Sequence, residues 1–182
     1  NVLALDLNQS QYALLPNAEG GVIDDVYLYR FEEAKYLLVI NAGNIDKDWA
    51  HLTKQAEKFD VKLTNVSDKY AAIAVQGPES KEMLMKLAGG KQLTPENVKN
   101  ALNTLTKPVR IAKTGYTGEP IGYELYCNSE DARYFWDRLI ELGAKPTALG
   151  ARDTPRMEAS LPLYGHEMGE CEMGGEIQIY AV

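Results

Sequence analysis

Two adjacent carboxylates, Asp24 and Asp25, stand in the stretch GGVIDDVYLYR. The residues after them alternate as a half-buried strand does, with Val26 and Leu28 interleaved with Tyr27 and Tyr29. Successive strand side chains point to opposite faces, so one aspartate is directed to each side. An acid on the interior side needs a partner, because an unpaired buried carboxylate is costly. In the turn TGYTGE, Gly115 and Gly118 bracket Tyr116 and Thr117. Such glycines permit positive φ and close approach of a ligand to the backbone. A tyrosine ring between them is suited to stacking on a flat heterocycle, or equally to packing on the core. Tyr12, Asn41, Glu124 and Arg152 complete the polar residues expected in strands or tight turns. Each also has an ordinary reading. The aspartates would be a solvated strand end, Asn41 a turn or cap, Glu124 an outward strand residue, and Arg152 a partner of Asp153 or Glu158 on a helix surface.

Several other chemistries are missing. No G-x-G-x-x-G follows a strand, and there is no P-loop, G-x-S-x-G or H-E-x-x-H. His51 and His166 are far apart and lack Cys or acid partners at ligand spacing. His51 is expected on the exposed side of a helix, and His166 in a Gly-rich loop. Cys127 and Cys171 make neither a disulfide framework nor a metal site, so no metal is expected and a reducing compartment is. A net charge of -7 argues against a nucleic-acid partner held through phosphates. No apolar run is long enough to span a bilayer, and the first residues do not read as a signal peptide, so no membrane partner is expected.

The elements that must position these residues alternate between strand and helix. Strands are expected at Gln11–Leu15, Val22–Phe31 and Lys35–Asn41, the last two joined as a hairpin through Glu32-Glu33-Ala34. Ile45, Trp49, Leu52, Ala56 and Phe59 share one helical face, with Asn44 as N-cap. VKLTNVSDKYAAIAVQG reads as two strand pieces broken at Ser67-Asp68. Pro78 opens a helix from Glu79 to Ala88 that Gly89-Gly90 ends. A polar span rich in Asn, Lys and Thr follows, and then VRIAKTGYTGE and GYELYC read as strands. Asn128 or Ser129 caps a helix whose buried face is Ala132, Phe135, Trp136, Leu139 and Ile140, stopped at Gly143. The last helix runs from Leu149 to about Ser160, with Pro155 starting its regular part or bending it. Hairpins rather than uniform crossovers favour an α+β fold, with antiparallel or mixed sheets and packed helices. At 182 residues, 45% of them hydrophobic, the chain suffices for one good core, or one split between two subdomains.

QYALLPNAEGGVIDDVYLYR, YLLVINAGNIDKDWAHL, AIAVQGPES, TGYTGEPIGYELYC and ALGARDTPRMEASLPLYGHEM, in that order, resemble the T-protein family of the glycine cleavage system, the aminomethyltransferases. The likeness runs from about Gln9 to Met168, while the tail CEMGGEIQIYAV departs from the pattern. It implies that residues 1–182 form a folate-binding core, two intertwined subdomains, without the family's N-terminal segment and C-terminal barrel domain. The implied activity passes the methylene of an aminomethyl group, carried on the dihydrolipoyl arm of H-protein, to tetrahydrofolate, with release of ammonia. Tetrahydrofolate would be the co-substrate and lipoylated H-protein the partner, in a bacterial cytoplasm or a mitochondrial matrix. A different class is a folate-binding module without transferase activity, related to iron–sulfur maturation or to dimethylglycine- and sarcosine-oxidising enzymes.

The resemblance also assigns residues. The family's catalytic aspartate falls on Asp25, since the aromatic four residues on then matches Tyr29 and the strand-end amide matches Asn41. Tyr12, Tyr116, Glu124 and Arg152 match the other residues of the folate pocket, although EPIGYE is one residue longer than the usual spacing before the acid. Glu124 is expected to accept two neighbouring donors of the pterin edge, a bidentate, charge-assisted contact. Tyr12 and Tyr116 would pack on the rings, and Asn41 and Arg152 satisfy the remaining polar edge. Asp25 would take the proton of folate N5 as it attacks the methylene carbon, or favour positive charge on an iminium-like intermediate.

Overall fold

The computed structural model describes residues 2–90 and 107–169. The Asn-, Lys- and Thr-rich span, Cys171 and the tail CEMGGEIQIYAV lie outside the described residues. Two compact units are present, one drawn from Asn1–Asn65 with Pro162–Val182 and the other from Val66–Leu161.

In the first unit the alternating stretches become β1 (Ser10–Pro16), β2 (Val22–Glu32) and β3 (Lys35–Val39), an antiparallel sheet with β2 in the centre. Glu32 pairs with Lys35, which leaves Glu33-Ala34 as a two-residue hairpin turn. β3 stops two residues earlier than expected, because Asn41 turns the chain into the 3-10 turn Ala42–Asn44 that leads to α1 (Ile45–Ala56). Ile45, Trp49, Leu52 and Ala56 are half-buried as their spacing requires. Phe59 follows the same spacing but lies beyond the helix end and is 68% exposed. The fully buried residue of α1 is an acid, Asp48, and His51 is half-buried rather than exposed because it lies three residues along the same face.

The second unit contains β4 (Tyr70–Gln76), α2 (Ser80–Leu87), β5 (Val109–Ala112), β6 (Gly122–Asn128), α3 (Ala132–Glu141) and α4 (Leu149–Glu158). Its sheet is antiparallel in the order β4-β6-β5, so β6 is central. The strand piece expected ahead of Ser67-Asp68 does not form. Val61 and Leu63 are exposed there, so the alternation buries nothing that would hold a ladder. Ile73, Val75, Val109, Ile111, Tyr123, Leu125 and Cys127 share the inner face of the sheet and meet Leu84, Leu87, Phe135 and Leu139 from α2 and α3. The buried row of α3 is narrower than its sequence suggests. Phe135 and Leu139 are inside, whereas Trp136 and Ile140, about 100° further round the helix, are 44% and 37% exposed.

Helix ends follow the glycines. The N–H of Gly90 reaches Met85 O at 2.9 Å, and that of Ala144 reaches Leu139 O at 3.0 Å after Gly143 at φ +103°. Helix starts do not follow the expected caps. Asn44, Asn128 and Ser129 make no side-chain cap, and the Ser129 hydroxyl instead donates to Asp68 O at 2.9 Å. Pro155 falls inside α4. Among the described residues no helix is long and apolar enough to cross a membrane.

Candidate active site

Strand alternation separates the two aspartates of β2 as their adjacency requires. Asp24 is fully buried, which removes the reading of the pair as a solvated strand end. Its carboxylate accepts the backbone N–H of Asn41 at 3.0 Å, the Asn41 side-chain amide at 2.8 Å and the Asn44 side-chain amide at 2.7 Å. A helix start leaves N–H groups without internal acceptors and carries positive partial charge, so a carboxylate is favoured there. Asp24 therefore serves the start of the 3-10 turn that leads into α1, and Asn44 serves Asp24. On the same helix, Lys47 Nζ donates to Ile23 O at 2.5 Å and contacts the Tyr164 hydroxyl, lying 4.3 Å from the Tyr164 ring centre.

Asp25 is half-buried on the opposite face. Its Oδ2 accepts the Tyr12 hydroxyl at 3.0 Å, and its Oδ1 accepts Asn41 Nδ2 at 2.6 Å. Tyr12 pairs directly with Tyr27, so its hydroxyl reaches diagonally to the residue two places earlier. The Tyr12 ring meets the Tyr27 ring edge-on with centroids 5.7 Å apart. Tyr29 stacks on Phe31 with centroids 5.7 Å apart, continuing the same face. Three residues named from sequence, Tyr12, Asp25 and Asn41, thus meet in the first unit. Asn41 belongs to the acid pair directly, since it also lies on Asp24.

In the second unit Glu124 stands on the central strand, on the face turned away from Tyr123 and Leu125. Its direct neighbours across the sheet are Ala74 and Ala112, so two small side chains flank it. Its Oε2 accepts the hydroxyls of Thr114 at 2.5 Å and Tyr126 at 3.1 Å. Sequence reasoning missed both partners. Tyr126 was legible as the next residue on the same face of β6, but Thr114 reaches Glu124 only through the turn.

That turn is built differently from the expectation of two positive-φ glycines. Gly118 has φ +78°, and a Cβ there would meet the Cβ of Ala159 at 2.2 Å. Gly115 lies outside the left-handed region and is required by space, since its Cβ would stand 2.0 Å from Gln76 Oε1. Gly122 would meet the same atom at 2.0 Å. Gln76 Nε2 donates to Thr114 O at 3.2 Å and Tyr123 O at 2.9 Å, fastening the turn to the end of β4. Tyr116 is half-buried in this turn, and Arg152 is exposed on α4. The ion pair of α4 joins Asp153 to the buried Arg156 at 2.5 Å, not to Arg152. His166 is exposed in the turn Tyr164–Met168. Among the described residues no three His, Cys, Asp or Glu side chains gather as a metal-holding group.

The first unit therefore offers a half-open carboxylate with a fixed donor on each oxygen, and the second offers a half-buried carboxylate on a central strand between two alanines. Both are acceptors suited to N–H groups. The GCVT N-terminal domain family model matches residues 1–178. The chain belongs to that family. It is similar to aminomethyltransferases of Deinococcus deserti, 45% identical over 93% of this chain and 48% of the relative, and of Thermus thermophilus, 47% identical over 91% and 48%. Its fold matches a crystal structure of the glycine cleavage system aminomethyltransferase T from Bartonella henselae, with TM-score 0.77 and 32% identity over 91% of this chain and 45% of that one. The expected α+β class, with two antiparallel three-stranded sheets and packed helices, is the class of this family member. The chain spans about half the length of the curated relatives it matches.

Proposed function

We propose that this chain carries the acid–base and folate-reading groups of a tetrahydrofolate-dependent aminomethyltransferase of the glycine cleavage system. The aminomethyl group arrives on the dihydrolipoyl arm of H-protein. Its methylene goes to tetrahydrofolate as 5,10-methylenetetrahydrofolate, and its nitrogen leaves as ammonia. The observation that carries the reading is Asp25, a half-open carboxylate pinned by Tyr12 and Asn41 in a member of the GCVT N-terminal domain family. Two fixed donors hold the carboxylate in one orientation, with its remaining lone pairs available to a substrate N–H. Asp25 takes the proton that N5 gives up as it attacks the methylene carbon. In the second unit, Glu124 between Ala74 and Ala112 accepts the donors of the pterin edge, where small neighbours leave room for a flat ring.

Asp25→Asn is expected to lower turnover ~10²–10⁴-fold, the usual worth of a positioned acid–base group. Tetrahydrofolate should still bind, as read by fluorescence of Trp49 and Trp136. Turnover is measured as ammonia release from aminomethyl-loaded H-protein, and an undiminished rate removes Asp25 from the reaction. Glu124→Ala should weaken tetrahydrofolate binding by about 1–3 kcal/mol, because it leaves substrate donors unpaired. An unaltered dissociation constant would refute the pterin role.

A further inference from the structure

Resting on the reading of Asp25 as the acid that works on the folate nitrogen, we propose that Asp24 is a positioning residue that acts on it through Asn41. A primary amide has two N–H groups. In Asn41 the nitrogen lies 2.8 Å from Asp24 Oδ1 and 2.6 Å from Asp25 Oδ1, so one hydrogen serves each acid. The amide cannot turn without breaking both bonds. Its backbone is held as well, since the Asn41 N–H donates to the other oxygen of Asp24 at 3.0 Å.

Asp24 can do this because it is 0% exposed and stands on the central strand of its sheet. Water does not compete for its oxygens, so the Asp24 end of the shared amide is held firmly although Asn41 itself is exposed. Asp25, one residue on, is half-open, and water would otherwise solvate it in more than one orientation. Receiving the start of the 3-10 turn would need only the Asn41 backbone N–H. The shared Asn41 amide is the feature that a cap alone leaves without purpose.

The test is a double-mutant cycle in the enzyme that carries this chain, with Asp24→Asn, Asn41→Ala and the pair. Turnover with aminomethyl-loaded H-protein, KM for tetrahydrofolate and thermal unfolding are read for each. Asp24→Asn is expected to lower kcat about 10–100-fold, as misplacement of a reacting group does, with KM within about twofold. In the Asn41→Ala background the same change should cost less than about threefold in kcat, because the route through Asn41 is already gone. Losses that multiply, or an unchanged kcat in a folded Asp24→Asn enzyme, overturn the inference. Should Asp24→Asn not fold, Asn44→Ala takes one donor from Asp24 and leaves Asn41 and Asp25 in place. A kcat about threefold lower at constant KM then supports positioning, and an unchanged kcat refutes it. Asp25→Asn, made alongside, separates the two claims. Full turnover there defeats the Asp25 reading itself, whereas impaired turnover with multiplying losses in the cycle defeats the positioning role alone.

Discussion

Gly115→Ala isolates the packing that holds the glycine turn. A methyl group at this position would stand 2.0 Å from Gln76 Oε1, 2.7 Å from Cδ and 2.9 Å from Nε2. No real contact is that short, so the Gln76 side chain must withdraw, and with it go the bonds to Thr114 O and Tyr123 O. At about 0.5–1.5 kcal/mol each, the two bonds sum to ~1–3 kcal/mol. Alanine restricts the unfolded chain more than glycine and returns about 0.4–1 kcal/mol where φ is ordinary. The net loss expected is about 1–2 kcal/mol. Urea unfolding followed by Trp136, in a Trp49→Phe background, reports the second unit, with the midpoint falling at constant slope. The decisive arm is Gly115→Ala in a Gln76→Ala chain. With the obstructing side chain removed, the methyl group has room, and the change should be neutral or slightly stabilising. An equal loss in both backgrounds, or a loss under about 0.5 kcal/mol with Gln76 present, would refute steric exclusion by Gln76.

Phe135→Ala should destabilise by about 3–5 kcal/mol, whereas Trp136→Ala, its neighbour on the open side of α3, should stay within about 1 kcal/mol, both read by urea unfolding followed by circular dichroism. Burial pushes the Cys127 thiol and the Tyr123 hydroxyl above their ordinary values of 9.0 and 10.0. The hydrogen bond to Asp131 raises Lys107 as well. The folded chain thus keeps protons that the unfolded chain releases, so the contribution of these groups to stability is full below about pH 9 and falls as pH climbs through the raised values. A urea midpoint that is flat or rising from pH 8 to pH 11 would contradict this. Cys127 should also resist iodoacetamide in the native chain and react on unfolding, as read by mass spectrometry of its peptide.

What the sequence disclosed depended on how local the cause was. The β2–β3 hairpin, the strands of the second sheet and the glycine stops of α2 and α3 rest on neighbours a few residues away, and all were legible. Periodicity overreached where it ran past an element's end, as at Phe59, or where a helix used only one row of its apolar face, as at Trp136 and Ile140. The caps failed for a different reason. Asn44 sits where a capping residue belongs, yet its side-chain amide is spent on a carboxylate 20 residues away in sequence. A side chain–backbone cap and a side chain–side chain bond draw on the same residue types, and only tertiary structure chooses between them. Gly115 shows the same limit, because a glycine kept for space looks in sequence like one kept for φ.

Asp25 and Glu124 came from a family likeness, but the sheets supply a physical reason for such places. Each unit puts its acid on the central strand of a three-stranded antiparallel sheet, where ladders on both sides fix the backbone. Each acid receives a tyrosine hydroxyl, from Tyr12 across the strand or from Tyr126 along it. A second donor comes from the segment that follows the neighbouring strand, Asn41 after β3 and Thr114 after β5. Rigid backbone with donors from two directions leaves a carboxylate little freedom to follow solvent, and pre-organised acceptors of this kind are what an N–H substrate rewards. The difference between the units lies behind the acid. Asp25 is backed by a second carboxylate on the reverse face, at the cost of burying a charge that three amide N–H groups must satisfy, while Glu124 is backed by an apolar core. An acid that only has to be recognised by donors can stand on a hydrophobic floor. In the role proposed for Asp25, proton exchange gains from a support that fixes the acid's orientation from within.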